Sequence, residues 1–312
     1  MKTMVNIGVI GVGYLGQHHA RIFSELSRED GGIRLAAVID ADPARAEEIA
    51  GKYGCAAYGD YRQALDKVDA FSIVTPTTMH YEVALDCIRA GKDILIEKPI
   101  TTTIGEADAL IHASEDAGVI VQVGHLERFN PVVSALYPLL DKPVFIEAER
   151  LSPFLGRGID VDITIDLMIH DIDIVLSVLQ GKPVRDIKAA GDRVLTGNID
   201  FAKAWLEFEG VNAMFTASRI STEKARKLTV FQENSYLVMD YQNMEIKKFF
   251  REGGAMLHEV LSIERKEPLR EELRDFVECI GSRSRPRVCA LTGRNALKVA
   301  LQIGEQIKQR WL

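Results

Sequence analysis

The sequence predicts an α/β fold, a doubly wound parallel sheet, followed by an α+β domain with a largely antiparallel sheet. Short apolar runs alternate with helical stretches through the first 124 residues, the pattern of crossover units on a parallel sheet. A glycine-rich turn, Gly11-x-Gly13-x-x-Gly16, directly follows the first of these runs. After Gly124 the predicted strands follow one another with one strong helix among them, which favours antiparallel pairing.

The first domain is predicted to span residues 1–124 and to contain five buried strands. The predicted strands are 5–10, 35–39, 70–74, 93–96 and 119–123, and the predicted helices between them are 15–26, 44–53, 80–90 and 104–117. Each strand is a short apolar run bounded by turn residues, as strands covered on both faces are. Gly91 and Gly118 end two of the helices, a common place for glycine.

The second domain is predicted to span residues 125–312. Its predicted strands are 144–151, 184–190, 202–207, 213–218, 227–232 and 236–240, with a strong helix at 166–179. The last segment, 292–312, has apolar residues at helical spacing and is expected to pack on the rest as a helix.

Composition and charge exclude several classes of function. The chain has 312 residues and a formal net charge of -7, with acids and bases interspersed. The sequence has no basic stripe, which argues against nucleic acid or an anionic membrane as the main partner. The cysteines follow neither zinc-ligand spacing nor a disulfide framework, and no metal is predicted. They are Cys55, Cys87, Cys279 and Cys289. The absence of a signal peptide and of a roughly 20-residue apolar span predicts a cytoplasmic location.

The glycine turn lies between a predicted strand and a predicted helix, the context that a dinucleotide-binding motif requires. Gly11 permits the tight turn, Gly13 leaves room for a pyrophosphate, and Gly16 lets the helix and strand pack closely. The alternative is a turn that is merely tight. Asp40 ends the second strand, 24 residues beyond Gly16, where a carboxylate accepts from a ribose 2′-hydroxyl. NAD is therefore preferred over NADP, although Arg45 lies nearby, and the first domain is expected to be Rossmann-type.

A second polar feature ends the strand 93–96, where the chain reads Glu97-Lys98-Pro99. Charged residues are rarely buried unless paired, and proline cannot donate a sheet hydrogen bond, so this triplet is a poor continuation of a strand. It is predicted to lie at the carboxyl edge of the parallel sheet, where open α/β sheets bind ligands. A surface ion pair is the alternative. A cis Lys98–Pro99 peptide is a further expectation, because the strand end must turn sharply.

Together with the glycine turn, the stretch VTPTTMHYEVALDCIRAGKDILIEKP and an Asp-x-x-x-His helix resemble the Gfo/Idh/MocA family of NAD(P)-dependent sugar oxidoreductases over essentially the whole chain. The resemblance implies that Lys98 contacts both nicotinamide and substrate and that Thr75-Pro76 lies along the cofactor, with His80 acting as a cap or packing group. The predicted cofactor-binding residues are Gly11, Gly13, Tyr14, Leu15, Gly16, Asp40, Thr75, Pro76, His80, Glu97, Lys98 and Gln122.

The second half of the predicted site is Asp166 and His170. They are four residues apart, which places them on one face of a helix, and they match the family's Asp-x-x-x-His positions. An alcohol that loses hydride must also lose a proton, so His170 is a natural base. The alternatives are a helix-face carboxylate and a core histidine. The predicted catalytic residues are Lys98, Asp166 and His170, and the predicted substrate-binding residues are Lys98, His125, Arg157, Asp166 and His170.

The chain departs from the commoner family pattern around the Asp-x-x-x-His helix, where residues 160–165 and 167–169 lack the usual glycines. With the segments GHLERFNP and FLGRGIDVD, this is similar to the branch that oxidises carbon 3 of UDP-N-acetylglucosamine. A nucleotide sugar would need local cations, for which Arg128, Arg150, Arg157 and Arg219 are candidates. Arg157 is preferred because glycines flank it.

The leading prediction is an NAD-dependent dehydrogenase that acts on a secondary hydroxyl of a sugar or nucleotide sugar. The alternatives are a dehydrogenase of a free sugar or cyclitol and a non-catalytic NAD-dependent sensor. The exposed face of an antiparallel sheet commonly becomes an interface, and relatives often assemble that way. A homodimer or homotetramer is therefore expected.

Overall fold

The computed structural model of the protein describes residues 4–154, 156 and 161–311. Its first sheet contains six parallel strands, which are β1 (Val5–Ile10), β2 (Ile33–Ile39), β3 (Ala56–Tyr58), β4 (Ala70–Ile73), β5 (Asp93–Glu97) and β6 (Val121–Gly124). Their spatial order is β3-β2-β1-β4-β5-β6. The order reverses between β1 and β4, and open α/β sheets bind their ligands at the carboxyl ends of strands at such a switch point.

Four helices alternate with these strands, α1 (Gly16–Asp30), α2 (Pro43–Tyr53), α3 (Thr77–Arg89) and α4 (Ile104–Ala117). Local sequence explains where two of them begin. Asp42 accepts hydrogen bonds from two amides in the first turn of α2, with Pro43 as its first residue. Thr103 and Glu106 form a capping box at the start of α4, which satisfies backbone donors that the helix itself cannot.

The remaining elements are α5 (Pro131–Leu136), β7 (Pro143–Leu151), a π-helical turn (Thr164–Met168), α6 (Ile169–Val178), β8 (Asp186–Asp192), β9 (Phe201–Phe208), β10 (Val211–Ser218), β11 (Ala225–Gln232), β12 (Ser235–Asp240), β13 (Glu245–Glu252), β14 (Ala255–Ser262), α7 (Pro268–Ser282) and α8 (Ala290–Lys308). The eight strands form one sheet in the order β14-β13-β12-β11-β7-β10-β9-β8. Among the described strands of this sheet, only the pair β7–β10 is parallel. The predicted fold class, a doubly wound parallel sheet followed by a largely antiparallel one, is confirmed.

The chain divides into two compact units, Met1–Leu126 with Glu267–Arg294, and Glu127–Lys266 with Asn295–Leu312. The division differs from the predicted boundary at residue 124 because the chain returns to the first unit after the second sheet. Helix α7 explains the return, since Leu269, Leu273 and Phe276 on one of its faces join the core that contains Ile22 and Phe23 of α1. Contacts distant in sequence decide this membership.

The sequence analysis missed β3, α5, β13, β14 and α7. Strand β3 has three residues at the edge of the sheet, too short for a periodic pattern. The β13–β14 hairpin had a usable signal, because Gly253 and Gly254 both adopt positive φ between the paired residues Glu252 and Ala255, as tight hairpin turns require. Helix α7 also had one, in Pro268 followed by apolar residues at helical spacing.

Candidate functional site

The glycine turn connects β1 to α1 and packs against the chain just after β4. Gly11 has φ of 85°, and a Cβ there would lie 2.6 Å from the carbonyl oxygen of Val74. A Cβ at Gly16 would lie 1.7 Å from the carbonyl oxygen of Gly11, so neither position accepts a side chain. Around Gly13 the space is open, with only Arg45 Nη1 within 4 Å, at 3.8 Å. Gly11 and Gly16 thus hold the turn, and Gly13 leaves the room that a pyrophosphate needs.

Helix α1 begins directly after this turn, and no side chain caps its first residues. Uncapped amides at a helix N-terminus attract anions. Tyr14 is largely exposed and Leu15 is exposed at 36%, so both flank the open side of the turn.

Asp40 lies at the end of β2 and faces the same turn. One carboxylate oxygen accepts from the amide of Val12 at 2.9 Å, and the other accepts from the amide of Asp42 at 3.0 Å. The guanidinium of Arg45 lies 3.8 Å from Asp40 and 3.7 Å from Asp42. Arg45 is therefore neutralised locally, which supports the reading of a ribose-binding rather than a phosphate-binding position.

The end of β5 is built around Glu97. Glu97 is paired with Gly124 of β6, and its carboxylate lies 2.8 Å from where a Cβ on Gly124 would be. His19 of α1 is fully buried, with Nε2 3.3 Å from Glu97 Oε1, and the amide of Lys98 donates to Glu97 Oε2 at 3.3 Å. These contacts support the strand end, and the role of Glu97 in binding the cofactor stays a prediction.

Lys98 itself is half-buried and directly follows this supported strand end. The Lys98–Pro99 peptide is cis, as expected from the sequence. His19 was missed by the sequence analysis. The signal available was its position on α1, three residues after the last glycine of the turn.

His80 links the loops after β4 and β5. Its side chain is 1% exposed, with Nδ1 2.8 Å from the carbonyl oxygen of Pro99 and Nε2 3.0 Å from that of Thr75. Burial lowers the pKa of His80, against the opposing effect of these two carbonyls. The side chain therefore supports the Thr75-Pro76 loop as a packing group, and its direct contact with the cofactor stays a prediction.

Gln122, another predicted cofactor ligand, packs inside the first unit. Its side chain is fully buried, and its amide donates to the backbone carbonyl of Glu272 in α7 at 3.0 Å. Its contact with the cofactor stays a prediction. Glu272 is also fully buried, and within the described residues neither of its carboxylate oxygens has a hydrogen-bond partner. Burial, with the nearby charge of Glu97, raises the pKa of Glu272 well above its usual range.

In the second unit, Asp166 and His170 lie on a π-helical turn and on the α-helix that directly follows it. Asp166 lies within the π-helical turn and His170 is the second residue of α6, and both side chains are partly exposed. The sequence predicted one regular helix over 166–179. A π-helical turn gives no distinct sequence pattern, and such turns are frequent at functional sites. His125, the remaining predicted substrate ligand near the end of β6, is buried, and its contact with substrate stays a prediction.

The structure separates the four candidate phosphate-binding arginines. Arg150 is buried and donates to Asp171 through two nitrogens at 2.9 Å and to Glu127 at 3.0 Å. Burial alone lowers the pKa of Arg150, but these carboxylates outweigh it and raise the pKa. Arg128 pairs with Asp173 at 3.4 Å.

Arg219 donates to the carbonyl of Val161 at 2.7 Å and lies 3.9 Å from Asp200. Arg150, Arg128 and Arg219 are therefore structural ion-pair residues, and Arg157 lies outside the described residues.

Asp171 and Asp173, which follow the predicted base in sequence, are both buried. Burial raises the pKa of Asp171, partly opposed by Arg150, whereas Arg150 outweighs the burial of Glu127 and lowers its pKa. Among the described residues, no three His, Cys, Asp or Glu side chains are grouped so that they could hold a metal ion. Across the same part of the chain, no helix has the length and apolar character needed to cross a membrane.

Comparison with known proteins agrees with this architecture. Residues 5–125 match the Gfo/Idh/MocA oxidoreductase family with its NAD-binding Rossmann fold, and residues 147–238 match the C-terminal domain of that family. The chain is 36% identical over 305 residues to a UDP-N-acetylglucosamine 3-dehydrogenase of Acidithiobacillus ferrooxidans, covering 95% of both proteins. It is 27% identical to scyllo-inositol 2-dehydrogenase (NAD(+)) of Bacillus subtilis, covering 96% of this chain and 93% of that protein.

A solved structure of UDP-N-acetylglucosamine 3-dehydrogenase from A. ferrooxidans superposes with a TM-score of 0.92 at 34% identity, covering 98% of each chain. The similarity spans both units and includes the dinucleotide-binding turn. The chain belongs to the Gfo/Idh/MocA family of NAD-binding oxidoreductases.

Proposed function

We propose that this protein is an NAD-dependent dehydrogenase that oxidises the carbon 3 hydroxyl of UDP-N-acetylglucosamine. The main support is the 36% identity to a UDP-N-acetylglucosamine 3-dehydrogenase over 95% of the chain. That similarity includes the second unit, where Asp166 and His170 lie, and is not limited to the dinucleotide-binding part that many dehydrogenases share.

The residues around the glycine turn fit NAD. Gly13 borders open space, α1 begins without a side-chain cap, and the Asp40 carboxylate at the end of β2 is positioned for a ribose hydroxyl. These residues would hold the pyrophosphate and the adenine ribose. When bound, NAD supplies the acceptor for the hydride that leaves the substrate carbon.

The chain's own residues would manage the proton and the charge. Oxidation of a secondary hydroxyl removes a proton from oxygen and a hydride from carbon, and leaves a carbonyl. His170 is the proposed base for that proton, because imidazole titrates near neutral pH. The Lys98 ammonium would stabilise the negative charge that develops on the oxygen. Asp166 would orient the sugar.

The substrate is tested by following NADH formation with UDP-N-acetylglucosamine, UDP-N-acetylgalactosamine, free N-acetylglucosamine and scyllo-inositol. The proposal expects the highest kcat/KM with UDP-N-acetylglucosamine and a 3-keto product. The second candidate function, a cyclitol dehydrogenase, is favoured by the similarity to the inositol enzyme and predicts turnover of scyllo-inositol instead. A sensor without chemistry predicts NAD binding with no turnover of any of the four.

The catalytic roles are tested by Lys98→Ala and His170→Ala. Each should lower kcat by about 10²–10⁴-fold, the usual contribution of such groups, while NAD affinity and the folded structure persist. Lys67→Ala and His112→Ala are matched controls, since both side chains are exposed on the first unit, and should retain full activity. Wild-type rates in both site variants would exclude this mechanism.

The pyrophosphate of the substrate is expected to meet Arg157. Arg157→Ala should raise the KM for the nucleotide sugar and leave the KM for NAD nearly unchanged, because a lost phosphate contact affects only the ligand that makes it. An unchanged KM for the nucleotide sugar would remove Arg157 from the site.

We also propose that the protein is a homo-oligomer that associates through one face of the second sheet. A row of ring side chains crosses that sheet with neighbouring centroids 4.5–6.0 Å apart, and it comprises Trp205, Phe145, Phe231, Tyr236, Phe249 and His258. Met256 and Val260 on the edge strand β14 are 67% and 48% exposed. Exposed apolar surface of this kind favours association. Light scattering at monomer mass would refute the proposal.

A further inference from the structure

The residues just before the π-helical turn make hydrogen bonds and an ion pair with other parts of the second unit. The carbonyl of Asp162 accepts from the amides of Ile165 and Asp166, both at 3.0 Å, so Asp162 begins the turn that contains Asp166. Its carboxylate, 8% exposed, accepts from the amide of Ile199 at 3.0 Å through Oδ1 and lies 2.5 Å from Lys308 Nζ through Oδ2. One buried carboxylate thus links the turn to a loop and to the last residue of α8.

The two neighbours of Asp162 are bound in the same way. The amide of Ile163 donates to the carbonyl of Ile199 at 2.9 Å, and Arg219 donates to the carbonyl of Val161 at 2.7 Å. The amide of Arg219 donates in turn to the carbonyl of Asp200 at 3.0 Å. These contacts connect three consecutive residues before the turn to the loop that precedes β9.

That loop is itself fixed. One carboxylate oxygen of Asp200, which is fully buried, accepts from the amides of Val194, Leu195 and Thr196 at 2.6–2.9 Å. Burial would raise the pKa of Asp200, but hydrogen bonds from the Thr196 hydroxyl and from these amides outweigh it and lower the pKa to about 2. The charge and the loop conformation therefore persist throughout the neutral pH range, and the loop is a firm support for Asp162.

Helix α8 approaches the turn closely. A Cβ at Gly304 would lie 3.3 Å from Thr164 Oγ1 and 3.7 Å from Asp162 Oδ2. Gly304 and Lys308 are four residues apart and so share a helix face, and both contact the start of the turn. Lys308 is 47% exposed.

We propose that Lys308 and Asp162 are positioning residues for Asp166. The pair fixes the π-helical turn from the outside, with Asp162 bridging α8 and the 193–200 loop. The role in turnover rests on the proposed function, in which Asp166 orients the sugar. A π-helical turn is uncommon and needs support from its surroundings, and these contacts supply that support.

The test compares Lys308→Met with Lys308→Arg, and uses Lys298→Met, an exposed lysine on the same helix, as the matched control. Lys308→Met should lower kcat for the nucleotide sugar by about 10- to 100-fold, because small displacements of an orienting group have effects of this size. The KM for NAD should not change. Lys308→Arg should restore most of the activity. Hydrogen exchange should become faster at the amides of Ile165 and Asp166 in Lys308→Met and should be unchanged in Lys298→Met.

Two results would overturn the inference. Unchanged exchange at Ile165 and Asp166 in Lys308→Met would show that the pair does not hold the turn. Faster exchange with a wild-type kcat would show that the pair is structural only. If the wild type oxidises none of the sugars tested, the proposed function fails by itself, and the exchange comparison still decides whether Lys308 holds the turn.

Discussion

Replacing Asp40 with alanine should change the dinucleotide preference of this protein. The carboxylate, 11% exposed, lies at the end of β2, where it is expected to accept from the ribose 2′-hydroxyl of NAD. NADP has a phosphate at that position, which the negative charge of Asp40 repels. Alanine removes the favourable contact with NAD and the unfavourable one with NADP together.

The size of the effect follows from the contacts at Asp40. A hydrogen bond to a charged group contributes about 1.5–3 kcal/mol, which corresponds to roughly 10- to 150-fold in the Kd of NADH. Arg45 lies 3.8 Å from Asp40 and 3.7 Å from Asp42. Once Asp40 is absent, the remaining pair with Asp42 is half-exposed on both sides and contributes only about 0–1 kcal/mol, so Arg45 can turn to a 2′-phosphate at little cost.

Asp40 also accepts from the amides of Val12 and Asp42, so alanine should loosen the glycine turn. That loosening weakens NADH and NADPH alike, because both bind through the same pyrophosphate. The ratio of the two Kd values therefore isolates the ribose contact. It should be measured by calorimetry in Asp40→Ala and in Asp60→Ala, which removes an exposed capping aspartate of the same unit. Equal weakening of both dinucleotides in Asp40→Ala would refute this reasoning.

Three further predictions concern buried groups. The folded protein holds the proton of Glu272 to higher pH than the unfolded chain does. The unfolding free energy therefore falls as the pH rises above the ordinary glutamate pKa. Glu272→Gln should increase the unfolding free energy little near pH 4 and progressively more toward pH 8, by up to about 1.4 kcal/mol per pH unit. A gain independent of pH in urea titrations would contradict this. Arg150→Met leaves two buried carboxylates without their partner and should lower the unfolding free energy by about 3–5 kcal/mol. Arg185→Met, at an exposed ion pair, should change the unfolding free energy by less than about 1 kcal/mol. Similar losses in both variants would contradict the buried network. Burial alone would raise the pKa of the Cys289 thiol, but hydrogen bonds from neighbouring side chains outweigh it and lower the pKa, whereas burial raises the pKa of the Cys87 thiol to about 12. Iodoacetamide near pH 8 should therefore alkylate Cys289 before Cys87. Mass spectrometry that finds Cys87 modified as fast would contradict this.

The sequence by itself determined the dinucleotide-binding half of this protein. Strand β1 and helix α4 have the predicted bounds, because apolar periodicity, caps and glycines are local signals that act over a few residues. The turn from Gly11 to Gly16 was found for the same reason, and the end of β5 was predicted within one residue, at 96 instead of Glu97. Each is a short motif whose geometry depends mainly on its immediate neighbours in the chain.

Only the tertiary structure decided what the charged and polar side chains do. Arg150 and Lys98 look alike in sequence as candidate ligand-binding cations, yet Arg150 is buried against Asp171 and Glu127. His19, distant in sequence, supports Glu97. The roles of Arg150 and His19 depend on which side chains come into contact after folding. A charged side chain that is buried has to neutralise a buried partner of opposite charge. The same dependence on distant contacts returned α7 to the first unit.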